Sequence, residues 1–180
     1  NVYLVGILDA DMLLNRPDFR AYERSYQLMS QVSGRAGRLK KQGKVIVQTG
    51  DPDHWVLKLI ANHDYKGFYD NEIIERQNFN YPPFYKVISL TLKHKDINLV
   101  EVASKELATM LRLTFKERVI GPEFPLIQKI KNQYLKEIKL KIERTAPEKQ
   151  VKEKLREKLD RFYQKADFKA VKVVINVDPL

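Results

Sequence analysis

The chemistry of this chain is concentrated in eight consecutive residues, Gln31-Val32-Ser33-Gly34-Arg35-Ala36-Gly37-Arg38. Two arginines three residues apart, next to glycines at a helix end, can turn planar guanidinium forks toward one anion with little backbone in the way. A polyphosphate suits that geometry. An arginine pair alone would also fit a polar helix terminus running into Lys40-Lys41, but the whole string is far more specific. A second set lies near the middle of the second half: Lys129, Lys131, Lys136, Lys139 and Lys141, with Tyr134 among them. Lysines that meet phosphates and a tyrosine that stacks on an unpaired base suit sequence-blind binding of single strands or fork arms. A solvated strand face packed by lysine stems is the alternative.

Charge separates the halves. The net charge is +10, from 33 Lys+Arg against 23 Asp+Glu. Residues 1–80 hold 11 basic and 10 acidic side chains, whereas residues 81–180 hold 22 and 13. Nearly all the excess therefore belongs to the second half, where the summed field attracts polyanions such as nucleic acid. There is no cysteine, so neither a disulfide framework nor a thiolate zinc site is available. His54, His63 and His94 have no metal-ligand spacing and are expected at the surface or at helix caps. No run reaches the roughly 18 to 20 apolar residues of a membrane span and no leader resembles a signal peptide, so a cytoplasmic protein is expected.

The elements that must position these residues begin with an apolar run at residues 2–8. It is too uniform for a half-exposed strand and fits one buried on both faces of a parallel sheet. A loop with Pro17 and Asp18 leads into a helix carrying Tyr22, Tyr26 and Met29 on one face and ended by Gly34 and Gly37. Val45-Ile46-Val47 is a second strand. Two strands are too few for a stable α/β layer, so the sheet is expected to continue upstream of Asn1, leaving an edge open to association. Asp9 and Asp11, where the first strand ends, fit either a ligand-facing position or a cap.

Two helices are expected over residues 51–80, with Trp55, Tyr65, Phe68 and Tyr69 packing two domains together. Tyr81-Pro82-Pro83-Phe84 stops the second helix and marks the boundary. Beyond it comes a strand in which Ile88, Leu90 and Leu92 alternate with Ser89 and Thr91. A helix then starts at an Asn98/Glu101 capping box and buries Val100, Ala103, Leu107, Met110 and Leu111. Gly121-Pro122 and Pro125 punctuate the return to a hairpin pair, residues 129–131 and 134–143. A helix after Thr145-Ala146-Pro147-Glu148 and a last strand at residues 171–177 complete the order strand, helix, strand, strand, helix, strand. That is the βαββαβ order of ferredoxin-like domains.

Gln31-x-x-Gly34-Arg35-x-Gly37-Arg38 resembles motif VI of superfamily 2 helicases, which closes the ATP site from the second motor lobe. Leu4-Val5-Gly6, Asp9-Ala10-Asp11, Pro17-Asp18-Phe19-Arg20-Ala21-x-Glu23-Arg24, Glu75-Arg76 and Tyr81-Pro82-Pro83-Phe84 narrow the resemblance to the primosomal protein N′ (PriA) family of replication-restart helicases. Gly121-Pro122, the basic stretch 129–141 and Val177-Asp178-Pro179 extend it over essentially the whole chain.

The resemblance implies an incomplete RecA-like lobe 2 over residues 1–50, a helical connector over 51–80 and a ferredoxin-like C-terminal domain over 81–180, hence α/β plus α+β. It implies a 3′-to-5′ ATP-dependent DNA helicase that recognises abandoned forks and restarts replication through primosome assembly. Gln31, Gly34, Arg35 and Arg38 would bind ATP with Mg, Arg35 and Arg38 acting catalytically and Arg38 favoured as arginine finger. Lys129, Lys131, Tyr134, Lys136, Lys139 and Lys141 would contact DNA. Expected partners are single-stranded and forked DNA, single-strand DNA-binding protein and other primosome proteins. The family's Gly-Lys-Thr loop, Asp-Glu metal motif and zinc-binding cysteines lie outside this chain, so the chain alone is not expected to hydrolyse ATP. Leu135 departs from the family, which often carries arginine beside the tyrosine. A stand-alone nucleic-acid-binding or partner-binding module is the alternative, and another superfamily 2 fork-remodelling enzyme a third reading.

Overall fold

The computed structural model describes residues 3–36 and 43–178. The chain divides into two compact units, Asn1–Arg76 and Gln77–Leu180.

In the first unit, β1 (Leu4–Ile7) pairs in parallel with β2 (Lys44–Val47), Val5 opposite Val45 and Ile7 opposite Val47. The crossover between them carries a short helix that the sequence reading missed, α1 (Ala10–Leu14), and then α2 (Ala21–Ser33). Asp9 makes α1 possible: its left-handed backbone turns the chain, and its carboxylate accepts the Met12 N–H at 3.2 Å. Two further helices follow, α3 (Trp55–Ala61) and α4 (Tyr65–Asn78).

The core joins Ala10, Leu14, Tyr26, Met29, Val56, Ile60 and Phe68. Tyr26 stacks on Phe68 at 4.5 Å between ring centres and Phe68 on Trp55 at 5.9 Å. These aromatics thus build the interior of the first unit, which corrects their expected role at a seam; Tyr65 and Tyr69 remain largely exposed. The expectation of a strand buried on both faces also needs correction. Leu4 is 53% exposed, Leu8 79% and Ile46 60%, because among the described residues nothing covers the second face of this two-stranded sheet.

The second unit is a four-stranded antiparallel sheet in the order β4-β6-β3-β7, with a short hairpin arm added. The strands are β3 (Tyr85–His94), β4 (Val119–Glu123), β5 (Lys129–Ile130), β6 (Gln133–Glu143) and β7 (Lys172–Val177). Helices α5 (Ile97–Phe115) and α6 (Glu148–Gln164) supply the other layer. Ile88, Leu90 and Leu92 of β3, Ile138, Leu140 and Ile142 of β6, Leu107 and Leu111 of α5 and Phe162 of α6 share one core. Register enforces this, with Ile88 opposite Leu140 and Leu90 opposite Ile138.

Two boundaries differ from the sequence reading. Asp96, not Asn98, caps α5, its carboxylate accepting the Asn98 N–H at 2.8 Å. The strand beside β6 is β4, through the Gly121-Pro122 step read as punctuation, while residues 129–130 form only a two-residue arm off the main sheet. Proline lacks a donor and so is tolerated in an edge strand such as β4. Gly121 has φ +90°, and a Cβ there would stand 2.7 Å from the Glu137 carbonyl oxygen, so the position requires glycine. The β5–β6 turn is Lys131-Asn132, both with positive φ, the left-handed pair that two-residue hairpins favour.

Candidate phosphate-facing and nucleic-acid-facing sites

The arginine string sits at the C-terminal end of α2. Gln31 is in the last turn and exposed, Gly34 caps the helix with its N–H on the Ser30 carbonyl at 3.0 Å, and Arg35 follows in the turn. Gly34 keeps a helical φ of −65°, so no left-handed backbone is demanded of it; a Cβ at this position would meet nothing nearer than the Ser30 carbonyl oxygen at 3.4 Å. Arg35 is exposed and makes no ion pair among the described residues. A helix C-terminus carries partial negative charge, so an anion approaches it only where cations reverse the local potential. Arg35 supplies one such cation; Gly37 and Arg38 lie outside the described residues.

The carboxylates at the end of β1 are already engaged. Asp9 caps α1, and Asp11 accepts Thr49 Oγ1 at 2.6 Å and Gly50 N at 2.7 Å, bonds that hold its carboxyl below the usual carboxylate range. Both thus take the capping role rather than the ligand-facing one. His54 accepts the Val56 N–H at the start of α3, and His94 accepts the Asp96 N–H at 3.0 Å. No group of side chains among the described residues is arranged to hold a metal ion.

The five lysines singled out in the sequence do not share one face. Strand parity places Lys136 with Ile138 and Leu140, on the side packed by helices. Its side chain is 8% exposed, pairs with Glu101 of α5 at 2.9 Å and lies over the Phe124 ring at 3.8 Å. That removes it from any surface set. Lys139 lies on the opposite face but pairs with Glu137 at 3.4 Å. Lys141 donates to the Phe79 carbonyl at 2.6 Å and covers the Tyr81 ring at 3.7 Å; burial and the neighbouring Lys139 charge push its ammonium below the usual lysine range. The Tyr81 segment, a boundary in sequence, is thus a lid for one lysine of the sheet.

The unpaired cations gather at one end of the sheet instead. Lys131 lies in the hairpin turn and Lys129 two residues before it, where it reaches over Tyr134 at 4.6 Å. Tyr134 is opposite His94, Lys95 follows it, and Lys93 is opposite Lys172. Lys93, Lys95, Lys129, Lys131 and Lys172 make no ion pair among the described residues. Cross-strand pairing brings three lysines there that sequence reasoning passed over, since 93, 95 and 172 are distant from 129–131 along the chain. A cavity of about 940 Å³ beneath α6, lined by Ile88, Val151, Leu155, Val173 and Ile175, touches neither set.

Residues 77–180, all of the second unit, match the family described as Primosomal protein N C-terminal domain. The chain belongs to this family. It is 35% identical over 99% of its length to the replication restart protein PriA of Bacillus subtilis (strain 168), of which it covers 22%. It is 38% identical over 74% of its length to the PriA protein of Synechocystis, covering 16% of it, and 32% identical over 74% to that of Borreliella burgdorferi, covering 21%. The chain thus spans about a fifth of the length of the curated relatives it matches. No helix among the described residues is long and apolar enough to cross a membrane.

Proposed function

We propose that this chain is part of a PriA-type ATP-dependent 3′-to-5′ DNA helicase that restarts replication at stalled or abandoned forks through primosome assembly in the cytoplasm. The observation that carries the reading is Arg35, an exposed cation without a carboxylate partner among the described residues at the end of α2, inside a string that resembles motif VI. A stand-alone binding module has no use for a guanidinium fork facing a γ-phosphate. The parallel β1–β2 pair with its uncovered apolar face is what one strip of an incomplete RecA-like lobe would look like, and the order β4-β6-β3-β7 with two helices on one face supports a ferredoxin-like reading of the second unit. Lobe 2 over residues 1–50, a connector over 51–80 and a DNA- and partner-binding domain over 81–180 remain the functional division.

In this reading Gln31, Gly34, Arg35 and Arg38 face ATP, whose Mg is held by residues outside this chain, as is the family's zinc. The two arginines spread the charge that develops on the transferring phosphoryl group. The second unit holds single-stranded or forked DNA with Lys93, Lys95, Lys129, Lys131 and Lys172, and Tyr134 is placed to stack once Lys129 swings off its ring. Single-strand DNA-binding protein and primosome components are the protein partners. The test is ATP turnover of the full-length protein carrying Arg35→Ala or Arg38→Ala. Losing an arginine finger lowers kcat by about a thousandfold or more. Turnover unchanged in both variants would leave the binding-module reading in place.

A further inference from the structure

We infer that Arg76 is a positioning residue that anchors α2 to α4 and so ties movement of the arginine string to the helix leading into the second unit. The inference rests on the helicase reading above.

Residues 18–24, a string without a role in the phosphate site, form the socket. Asp18 accepts the Arg20 N–H at 3.0 Å and Arg24 Nη1 at 2.7 Å, which fixes the entry to α2. Arg76, from the far end of α4, donates through Nη2 to Glu23 at 2.8 Å and through Nε to Glu72 at 3.0 Å. Its guanidinium also lies 5.5 Å from the centre of the Phe19 ring, which Arg20 shares at 5.1 Å. The Arg76 side chain is 14% exposed and that of Glu72 9%. Only a planar, multi-donor cation can serve two carboxylates and an aromatic face together, and lysine cannot. The two distant strings, 17–24 and 75–76, are thus two halves of one contact.

Its place on α2 gives this contact a function beyond cohesion. The apolar core already holds α4 to α2 through Tyr26 and Phe68. Arg76 adds a polar pin at Glu23, in the first turn of α2, whereas Gln31 and Arg35 occupy the other end. A helix of 13 residues is a rod of about 20 Å. A displacement of the arginine end by a phosphate is therefore returned at the Glu23 end, onto Arg76. Helix α4 runs on to Asn78, past the last residue of the first unit, so the strain has a direct route along the backbone. The second Glu72 oxygen is buried without a hydrogen-bond partner among the described residues, and burial raises that carboxyl above the usual range. Glu23 and Glu72 share one guanidinium, and its removal would leave Glu72 buried without that ion-pair partner.

The experiment measures ATP turnover and base pairs unwound in the full-length protein with Arg76→Met, Arg76→Lys, Glu23→Gln and, in parallel, Arg35→Ala and Arg38→Ala. Arg76→Met and Glu23→Gln are expected to lower unwinding per ATP by about fivefold or more while KM for ATP and DNA-independent turnover stay within about twofold, with partial recovery in Arg76→Lys. Turnover and unwinding falling in parallel with thermal stability would reduce Arg76 to a structural residue and overturn the inference, as would unchanged coupling. If Arg76→Met does not fold, Glu23→Gln removes only the more exposed arm and carries the same two outcomes. ATP turnover that survives Arg35→Ala and Arg38→Ala alike sinks the helicase reading itself; turnover lost in either with coupling intact in Glu23→Gln sinks only this inference.

Discussion

Replacing Lys129, Lys131 and Lys172 together by alanine separates the lysines at the end of the sheet from those along β6. Each phosphate neutralised on a single strand contributes about −0.7 to the slope of log affinity against log salt concentration. If Lys93, Lys95, Lys129, Lys131 and Lys172 each meet one phosphate, the slope is about −3.5, and affinity falls about a hundredfold between about 50 and about 200 mM salt. The triple variant retains two of the five, so its slope is about −1.4 and the same change costs about sevenfold. Lys139→Ala and Lys141→Ala should leave the slope where it was, because those ammonium groups already rest on Glu137 and on the Phe79 carbonyl. Fluorescence anisotropy of a labelled oligothymidine, titrated with the 180-residue chain at four salt concentrations, reads the slopes directly. A slope that follows Lys139 and Lys141 and ignores the triple variant would refute the reasoning and return DNA contact to the strand face.

Three further outcomes follow from packing and charge. Gly121→Ala places a methyl against the Glu137 carbonyl at a positive φ and should cost about 1 to 3 kcal/mol, read as a lower urea midpoint. Leu107→Ala hollows the fully buried core of the second unit and should cost about 2 to 5 kcal/mol in the same assay, with the first unit's tryptophan signal at Trp55 little changed. The Glu101 carboxyl is held below its usual range by hydrogen bonds from Lys136 and Lys105, so its contribution is present above the unfolded carboxyl pKa and is lost as pH falls through the depressed folded value. Glu101→Gln should therefore flatten the fall in stability on acidification and lower stability at neutral pH; an unchanged pH profile would mean that the pair is solvated away.

Much of the layer order was legible because it rests on local periodicity. Tyr26 and Met29 fall on the buried stripe of α2, and Ile138, Leu140 and Ile142 on the buried face of β6, as alternation and helical spacing require. Lys136 was misplaced by the same rule left unapplied, since it shares parity with Ile138. Strand β4 was hidden by Gly121-Pro122, whose usual meaning as punctuation lapses at a sheet edge. The arginine string was legible because it is contiguous. The gathering of Lys93 and Lys172 beside the hairpin was not, because it depends on β7 pairing with β3 across some eighty residues, information carried by the sheet and by no local window.

Lys131 holds a left-handed backbone at the tip of the hairpin, φ 47°, where glycine would sit without steric strain. A side chain kept at such a position trades rigidity of the turn for what that side chain does in solvent. Lys131→Gly is then expected to make the protein harder to unfold and, if the hairpin meets DNA as proposed, to weaken that binding. In directed evolution for thermostability, the hairpin tip would be among the first positions gained, and the DNA affinity proposed for it among the first properties to drift away unnoticed.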